Sequence, residues 1–328
     1  MCELEKDNRE IRERTNGGKK KKYISCHDLE NAIILLSDGV KHCCALNPNG
    51  ISQEIIPYED SIEQTIQTII ERKKHIIQDN IHGKKTFCTG CKLLKEGHWS
   101  VQKRIRQINL SLDYLCNLKC RYCIKWETQY IRRNRLDIPD LMQQLKACQA
   151  VDLMYPVLYS SGEITIQPKI KPILDSLEEY DVCIFSNATK YQQDIANKIK
   201  KTANCLVVSL DCGTKETYKR IKGVDFFDTV CRNIEKYCMN GGNVILKYIL
   251  MEDNIGQDDL NGFIELCMKN RIANILMSRD FNSEEINKKL KSVAAKLAYK
   301  AIKENIHVFT HGIYDIYTHA FNVNYDII

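Results

Sequence analysis

Six short apolar runs, each separated from the next by a stretch of helical character, constrain the fold of this chain more than any other feature. The runs are Gln107–Leu112, Val157–Ser160, Val182–Phe185, Leu206–Leu210, Val244–Leu250 and Asn274–Met277. Between them, Pro139–Ala150, Pro168–Tyr180, Tyr191–Lys201, Phe226–Met239 and Asp258–Lys269 read as helices. Strands rich in Val, Ile and Leu that alternate with helices imply parallel βαβ units, because the crossover helices cover both faces of the sheet. The pattern predicts an α/β protein, a partial (β/α)6 TIM-like barrel. Chemistry in such folds gathers at the C-terminal ends of the strands.

Just past the first of those ends lies Cys116-Asn117-Leu118-Lys119-Cys120-Arg121-Tyr122-Cys123. Three thiols at this spacing cannot all pair off among themselves. They can converge on three irons of a [4Fe-4S] cube and leave the fourth iron without a protein ligand. Close-set cysteine runs are the usual sequence sign of iron–sulfur clusters. An open iron can bind a small molecule and pass it an electron. A structural zinc site is the alternative for Cys116, Cys120 and Cys123; it needs a fourth ligand from elsewhere to close its tetrahedron.

Composition narrows the setting. The chain has 328 residues, 44% of them hydrophobic, enough for a large domain and a smaller one with a real core. Sixteen cysteines without an apolar signal segment among the charged residues Met1–Arg14 read as metal ligands and buried thiols in a reducing cytoplasm. No apolar run approaches the length of about 18 residues that suggests a membrane span. The net charge of +6 is mild, and its one dense basic run, Lys19–Lys22, lacks interleaved aromatics. Nucleic acid is therefore not an expected partner.

Residues 1–22 are expected to be a disordered charged tail and residues 23–103 a small Cys-rich hairpin–helix unit. In that unit, Ala32–Leu36 and Lys41–Leu46 flank the turn signal Asp38-Gly39, Asn47–Gly50 closes the hairpin, and a helix follows at Ser61–Gln78. Residues 104–280 form the barrel core, and residues 281–328 a C-terminal helix, Ser283–Glu304 with Ser283 as N-cap, plus a short extension. The apolar runs within residues 305–328 receive no assignment.

With these motifs in this order, residues 105–280 resemble a radical S-adenosylmethionine (radical SAM) enzyme. The cluster loop, with an aromatic immediately before its last cysteine, matches the family closely. The resemblance implies that the open iron chelates the amine and carboxylate of SAM. Reductive cleavage then yields a 5′-deoxyadenosyl radical that takes a hydrogen atom from a substrate. Tyr159-Ser160-Ser161-Gly162-Glu163 resembles the family's Gly-Gly-Glu segment, with Ser161 in place of the first glycine and Ile164 in place of a frequent proline. It implies that Ser161 and Gly162 allow close backbone approach and that Glu163 receives the SAM ammonium. Phe185-Ser186-Asn187 is similar to the Thr-Asn-Gly segment after the third strand. Ser209 and Asp211, ending the fourth strand, stand where related enzymes place polar groups near the SAM ribose and carboxylate. Tyr122 is expected beside the adenine. Lys247, Asn254, Ser278 and Arg279 are further strand-end candidates, with Lys247 equally readable as a surface lysine.

Cys26, Cys43 (or Cys44), Cys88 and Cys91, set around a hairpin and a helix, resemble the auxiliary-cluster modules called SPASM or twitch domains. Those modules normally follow the barrel; here the cysteines precede it. They imply a second [4Fe-4S] cluster, with zinc as the alternative and His42 as a weaker candidate ligand. Cys148, Cys183, Cys205, Cys231 and Cys238 read as small buried hydrophobes. The expected activity is hydrogen abstraction from a peptide, a protein side chain or a small metabolite, powered by a donor such as flavodoxin or ferredoxin. The region Ser209–Gly223 resembles peptide-modifying members; no winged-helix peptide-binding module is visible between Pro48 and Cys88. The competing readings are a zinc-stapled binding protein and a radical SAM fold that binds SAM without turnover.

Overall fold

The computed structural model describes residues 20–43, 53–91, 93–100, 103–113, 115–123, 136–280 and 286–311. The alternative ligand Cys44, the turn at 47–50, the segment 1–19, Ser283 and the extension beyond residue 311 lie outside them. The chain divides into two units: residues 1–111 with 135–158, and residues 112–134 with 159–328.

The first unit contains β1 (Lys20–Ser25), α1 (His27–Asn31), β2 (Ala32–Leu36), β3 (Gly39–Lys41), α2 (Ile62–Ile81), β4 (Lys95–Ser100), β5 (Gln107–Ser111) and α3 (Ile138–Ala147). β1 pairs antiparallel with β4, so Lys20–Lys22 belong to a strand rather than to the expected tail. The tail reading missed the strand because the lysines outnumber the apolar Tyr23 and Ile24, and the pairing partner lies far along the chain. β2 makes the expected tight hairpin with β3 and lies parallel to β5, with Ala32 opposite Gln107. The hairpin's second strand stops at Lys41, which leaves His42 and Cys43 beyond it. Ser61 caps α2 by accepting from the backbone N–H of Gln64 (3.1 Å). The helix buries Ile62, Ile66, Ile69, Ile70, Ile76 and Ile77 on one stripe, together with Lys73.

The boundary between the units falls within β6 (Val157–Tyr159). The second unit continues with α4 (Ile170–Ser176), β7 (Val182–Ser186), α5 (Gln193–Lys198), β8 (Cys205–Ser209), α6 (Lys215–Lys222), α7 (Phe227–Met239), β9 (Val244–Leu250), α8 (Gln257–Lys269), β10 (Asn274–Arg279), α9 (Lys288–Lys303) and β11 (His307–His311). β7 to β11 lie in sequential order, all parallel, with Ser186 level with Val208, Ser209 with Lys247 and Lys247 with Leu276. Successive residues of a strand face opposite ways. One face, carrying Ile184, Leu206, Val208, Leu246, Tyr248, Ile275 and Met277, is wholly buried. Helix α8 packs on it through Phe263, edge-on to Tyr248 at 4.8 Å between ring centres. The other face, with Cys183, Phe185, Ser209, Lys247 and Leu276, is half-buried. The architecture is mixed α/β with a large parallel sheet, that of a partial TIM-like barrel.

Three elements of the second unit also differ from the sequence reading. The C-terminal helix starts at Lys288 and is capped by Asn287, whose side chain accepts from the N–H of Leu290 (2.8 Å). β11 occupies residues left unassigned. α6 is a helix whose only large apolar residues are Tyr218 and Ile221, three apart on a Lys- and Glu-rich turn, too short for periodicity to show.

Candidate active site

The site is built from loops at the C-terminal ends of the strands, and every residue described for it lies in the second unit. Gly162 sits at φ +36°, and a Cβ there would collide with the backbone of Leu115. The absence of a side chain lets the segment after β6 pass directly under the cysteine loop. The Glu163 N–H donates to the Leu115 carbonyl (2.7 Å), and the Leu112 N–H donates to Ser161 Oγ (2.7 Å). Ser161, in place of a glycine, thus fastens the strand end to the start of the loop.

Glu163 is 1% exposed. Its Oε1 accepts from Ser186 Oγ (2.6 Å), Thr165 Oγ1 (2.6 Å) and the Thr165 N–H (2.9 Å). Its Oε2 accepts from the Asn187 N–H (2.5 Å). Burial raises the pKa of this carboxyl, and the donors only partly oppose it. A carboxylate oxygen carries two lone pairs, and among the described residues Oε2 serves one donor. A cation placed there would offset the cost of burial. Asn187 also ties Glu163 to the cysteine loop: its Nδ2 donates to Asn117 Oδ1 (2.9 Å) and to Cys116 Sγ (3.7 Å).

Cys116 feels Cys120 and Cys123, and Cys120 feels Cys123. Burial pushes the Cys116 thiol up to about 12, and Cys120 is raised for the same reason. Such thiols hold their protons unless a metal displaces them. The Cys123 N–H donates to the Cys120 carbonyl (2.9 Å), which turns the loop tightly between the two.

The expected SAM-contacting residues after β8 are arranged otherwise. Asp211 is fully buried in a left-handed backbone conformation, φ 66°. Oδ1 accepts from the Ile249 N–H (2.8 Å), and Oδ2 accepts from Tyr122 Oη (2.7 Å) and Lys222 Nζ (2.5 Å). Lys222 also donates to the Ser209 carbonyl (2.7 Å) and to Tyr122 Oη (2.7 Å). Both Asp211 oxygens are thus committed to the protein, and Tyr122 is anchored through its hydroxyl. Lys222 lies in the Ser209–Gly223 region that resembles peptide-modifying members, but no role at the site was expected of it. Asn254 stands behind this group, its Nδ2 donating to the carbonyls of Asp211 (2.7 Å) and Ile249 (2.7 Å). Lys247, by contrast, projects on the half-buried face with Nζ 5.8 Å from the centre of the Phe185 ring. Burial lowers its pKa, with Asp211 opposing. Arg279 ends β10 half-buried, and Ser278 beside it is buried, its hydroxyl without a partner among the described residues.

Residues 111–267 match the sequence profile of the Radical SAM superfamily. These residues form a radical SAM domain. GTP 3',8-cyclase of Clostridium perfringens (strain SM101 / Type A) is 23% identical over 176 residues, 52% of this chain and 54% of that protein. A probable GTP 3',8-cyclase of Saccharolobus islandicus is 27% identical over 166 residues, 49% of this chain and 53% of that protein. The chain spans about half the length of these curated relatives. Among solved structures, Streptococcus suis SuiB bound to its precursor peptide SuiA superposes with a TM-score of 0.54 at 14% identity, over 92% of this chain and 75% of that one. SuiB bound to S-adenosylmethionine gives 0.52, over 92% and 74%. At this identity the likeness is one of fold.

The superfamily implies a [4Fe-4S] cluster and SAM, and the acceptor position left on Glu163 Oε2 suits an ammonium. Among the described residues, no three His, Cys, Asp or Glu side chains gather tightly enough for one metal ion. A cube seats each thiolate on its own iron, and Cys116, Cys120 and Cys123 are the residues that would hold it.

In the first unit, Cys26 feels Cys43 and Cys91, and Cys88 feels Cys26 and Cys91. Cys26 and Cys88 share one buried patch with Leu29, Ile76 and Ile77, against which Phe87 packs. His42 lies against Phe87, 5.6 Å between ring centres, buried and with neither ring nitrogen hydrogen-bonded among the described residues. An orphaned buried imidazole is costly and calls for a missing partner. No helix among the described residues is long and apolar enough to cross a membrane.

Proposed function

We propose that the protein reductively cleaves SAM at a [4Fe-4S] cluster held by Cys116, Cys120 and Cys123, and abstracts hydrogen from a peptide or small-metabolite substrate. The observation that carries the reading is the hydrogen-bonded bridge from Cys116 through Asn187 to the buried Glu163 carboxylate. It sets an ammonium acceptor beside the cysteine loop. Cluster and SAM together would supply a carbon-centred radical; the chain's task is to bind, orient and exclude water. Glu163 holds the SAM ammonium through Oε2, kept in place by Ser186, Thr165 and Asn187. Lys247, an ammonium on the half-buried face, is suited to the SAM carboxylate. Ser161 and Gly162 hold the strand end against the loop, and Tyr122 braces the loop from the far side.

Cys26, Cys43, Cys88 and Cys91 hold an auxiliary [4Fe-4S] cluster in this proposal, preferred over zinc because a radical SAM domain accompanies them in the same chain. A donor such as flavodoxin or ferredoxin reduces the protein in the cytoplasm. A peptide substrate draws support from the peptide-bound SuiB structure, and a small metabolite from relatives named for GTP.

The test is 5′-deoxyadenosine formation from SAM and dithionite without oxygen. Wild type should produce it, and the variant with Cys116, Cys120 and Cys123 all changed to Ala should not. A cluster-loaded wild type that makes none, even with cell extract as a source of substrate, favours a fold that binds SAM without turnover.

A further inference from the structure

Lys222, at the C-terminal end of α6, is 0% exposed, and so is its ion-pair partner Asp211. Burial alone would pull a lysine pKa down. Asp211 and the nearby thiols more than offset it, and the pKa stands above the usual lysine value. A buried ion pair is poor value as a source of stability, since hydrophobic replacements are often neutral or stabilising. This one instead joins three segments. Nζ reaches Ser209 at the end of β8, Asp211 just past it, and Tyr122 in the cysteine loop. The ammonium also lies 4.9 Å from the centre of the Tyr122 ring.

Tyr122 is flanked in sequence by the second and third cysteines, so whatever fixes its ring fixes the spacing of Cys120 and Cys123. A second tether runs parallel: the Arg121 N–H donates to the Ile221 carbonyl (2.9 Å), one residue before Lys222. The Tyr122 ring packs on Ile221, Ile249 and Met251. The C-terminal end of α6 is therefore the anvil against which the loop is set.

We infer that Lys222 is a positioning residue for the cluster: by clamping Tyr122 to Asp211, it holds the cysteine loop in the geometry in which the open iron meets SAM. The inference rests on the reading of Cys116, Cys120 and Cys123 as cluster ligands. Partners one step removed from metal ligands typically matter roughly 10- to 100-fold in affinity or activity.

The experiment uses the full chain, reconstituted without oxygen, as wild type, Lys222→Met, Lys222→Arg and Tyr122→Phe. The readouts are thermal stability, iron content, the electron paramagnetic resonance spectrum of the reduced cluster with and without SAM, and the rate of SAM cleavage. Tyr122→Phe leaves the Lys222–Asp211 pair in place and removes the hydroxyl's bonds to Lys222, to Asp211 and to the Cys120 thiol. It should keep wild-type stability and iron, yet alter the SAM-induced spectral shift and slow cleavage roughly 10- to 100-fold. Lys222→Met should show the same spectral change, and Lys222→Arg should recover most of the wild-type spectrum. If Lys222→Met does not fold, Tyr122→Phe decides alone. A Tyr122→Phe protein with the wild-type SAM-induced shift and cleavage rate overturns the inference while leaving the cluster reading intact. A wild type whose cluster signal ignores SAM overturns both.

Discussion

Lys73 shows how one residue can run against its surroundings. It lies on the buried stripe of α2, and its ammonium donates to the carbonyl oxygens of Asp28 (3.1 Å) and Ala32. Burial lowers its pKa from 10.5 to about 8, with nearby thiols and carboxylates opposing. In the unfolded chain the lysine keeps its proton up to about pH 10.5, whereas in the fold it releases it near pH 8. Lowering the pH through that window protonates the unfolded chain first, so this residue's contribution falls from pH 10.5 to pH 8 and is level below. The difference in unfolding free energy between wild type and Lys73→Met should therefore move by about 3 kcal/mol in favour of wild type as pH rises across the window. Denaturant titration of both proteins checks it, and taking the difference cancels the opposite drift of the buried cysteines. A flat difference would show that the ammonium is solvated. Neither Lys73 nor Lys222 was legible beforehand. A lysine on an apolar stripe reads like any other lysine until the carbonyls and carboxylates it meets, distant in sequence, are in place.

At the scale of elements, legibility followed periodicity. β5 to β10 and, α6 aside, the helices after them were readable because Val, Ile and Leu repeat at strand and helix spacing, and their ends moved by a few residues. β1, β4, α6 and β11 were not, because each draws its stability from a partner rather than from its own pattern. Trp99 on β4, for example, donates through Nε1 to the Tyr23 carbonyl (3.0 Å) across the β1–β4 pair. The Gly-Gly-Glu resemblance marked Gly162 for approach to a ligand, but the structure adds a nearer reason, the Leu115 backbone. Gly162→Ala puts a Cβ into that backbone and holds an alanine at φ +36°. Strained backbone of this kind costs about 1–3 kcal/mol, and the collision pushes the cysteine loop away from Glu163. The expected outcome is a folded protein that takes up less iron at Cys116–Cys123 and binds SAM weakly, read by iron analysis and calorimetric titration. Wild-type values in both would mean that the loop yields freely.

The two units pose the question that belongs to the whole molecule: whether one chain carries two metal centres with separate duties. The second unit has its cysteine loop tied to Glu163, Asn187, Asp211 and Lys222, all within itself. The first unit has Cys26, Cys43, Cys88 and Cys91 drawn from before and after α2, with the buried His42 beside them. Because each set is held by its own unit, removing one should leave the other loaded. Changing Cys88 and Cys91 together to Ser should lower iron from about eight to about four atoms per chain, two cubes becoming one. Cleavage of SAM should survive in part, because every residue assigned to SAM lies in the second unit. Turnover of substrate should fall further than SAM cleavage, if the auxiliary centre takes up the electron left after hydrogen abstraction or anchors the substrate. Metal analysis of protein purified without oxygen separates the alternatives. Zinc at this pair in the native protein would rule out the auxiliary cluster, and loss of all iron in the double variant would mean that the two centres are not independent.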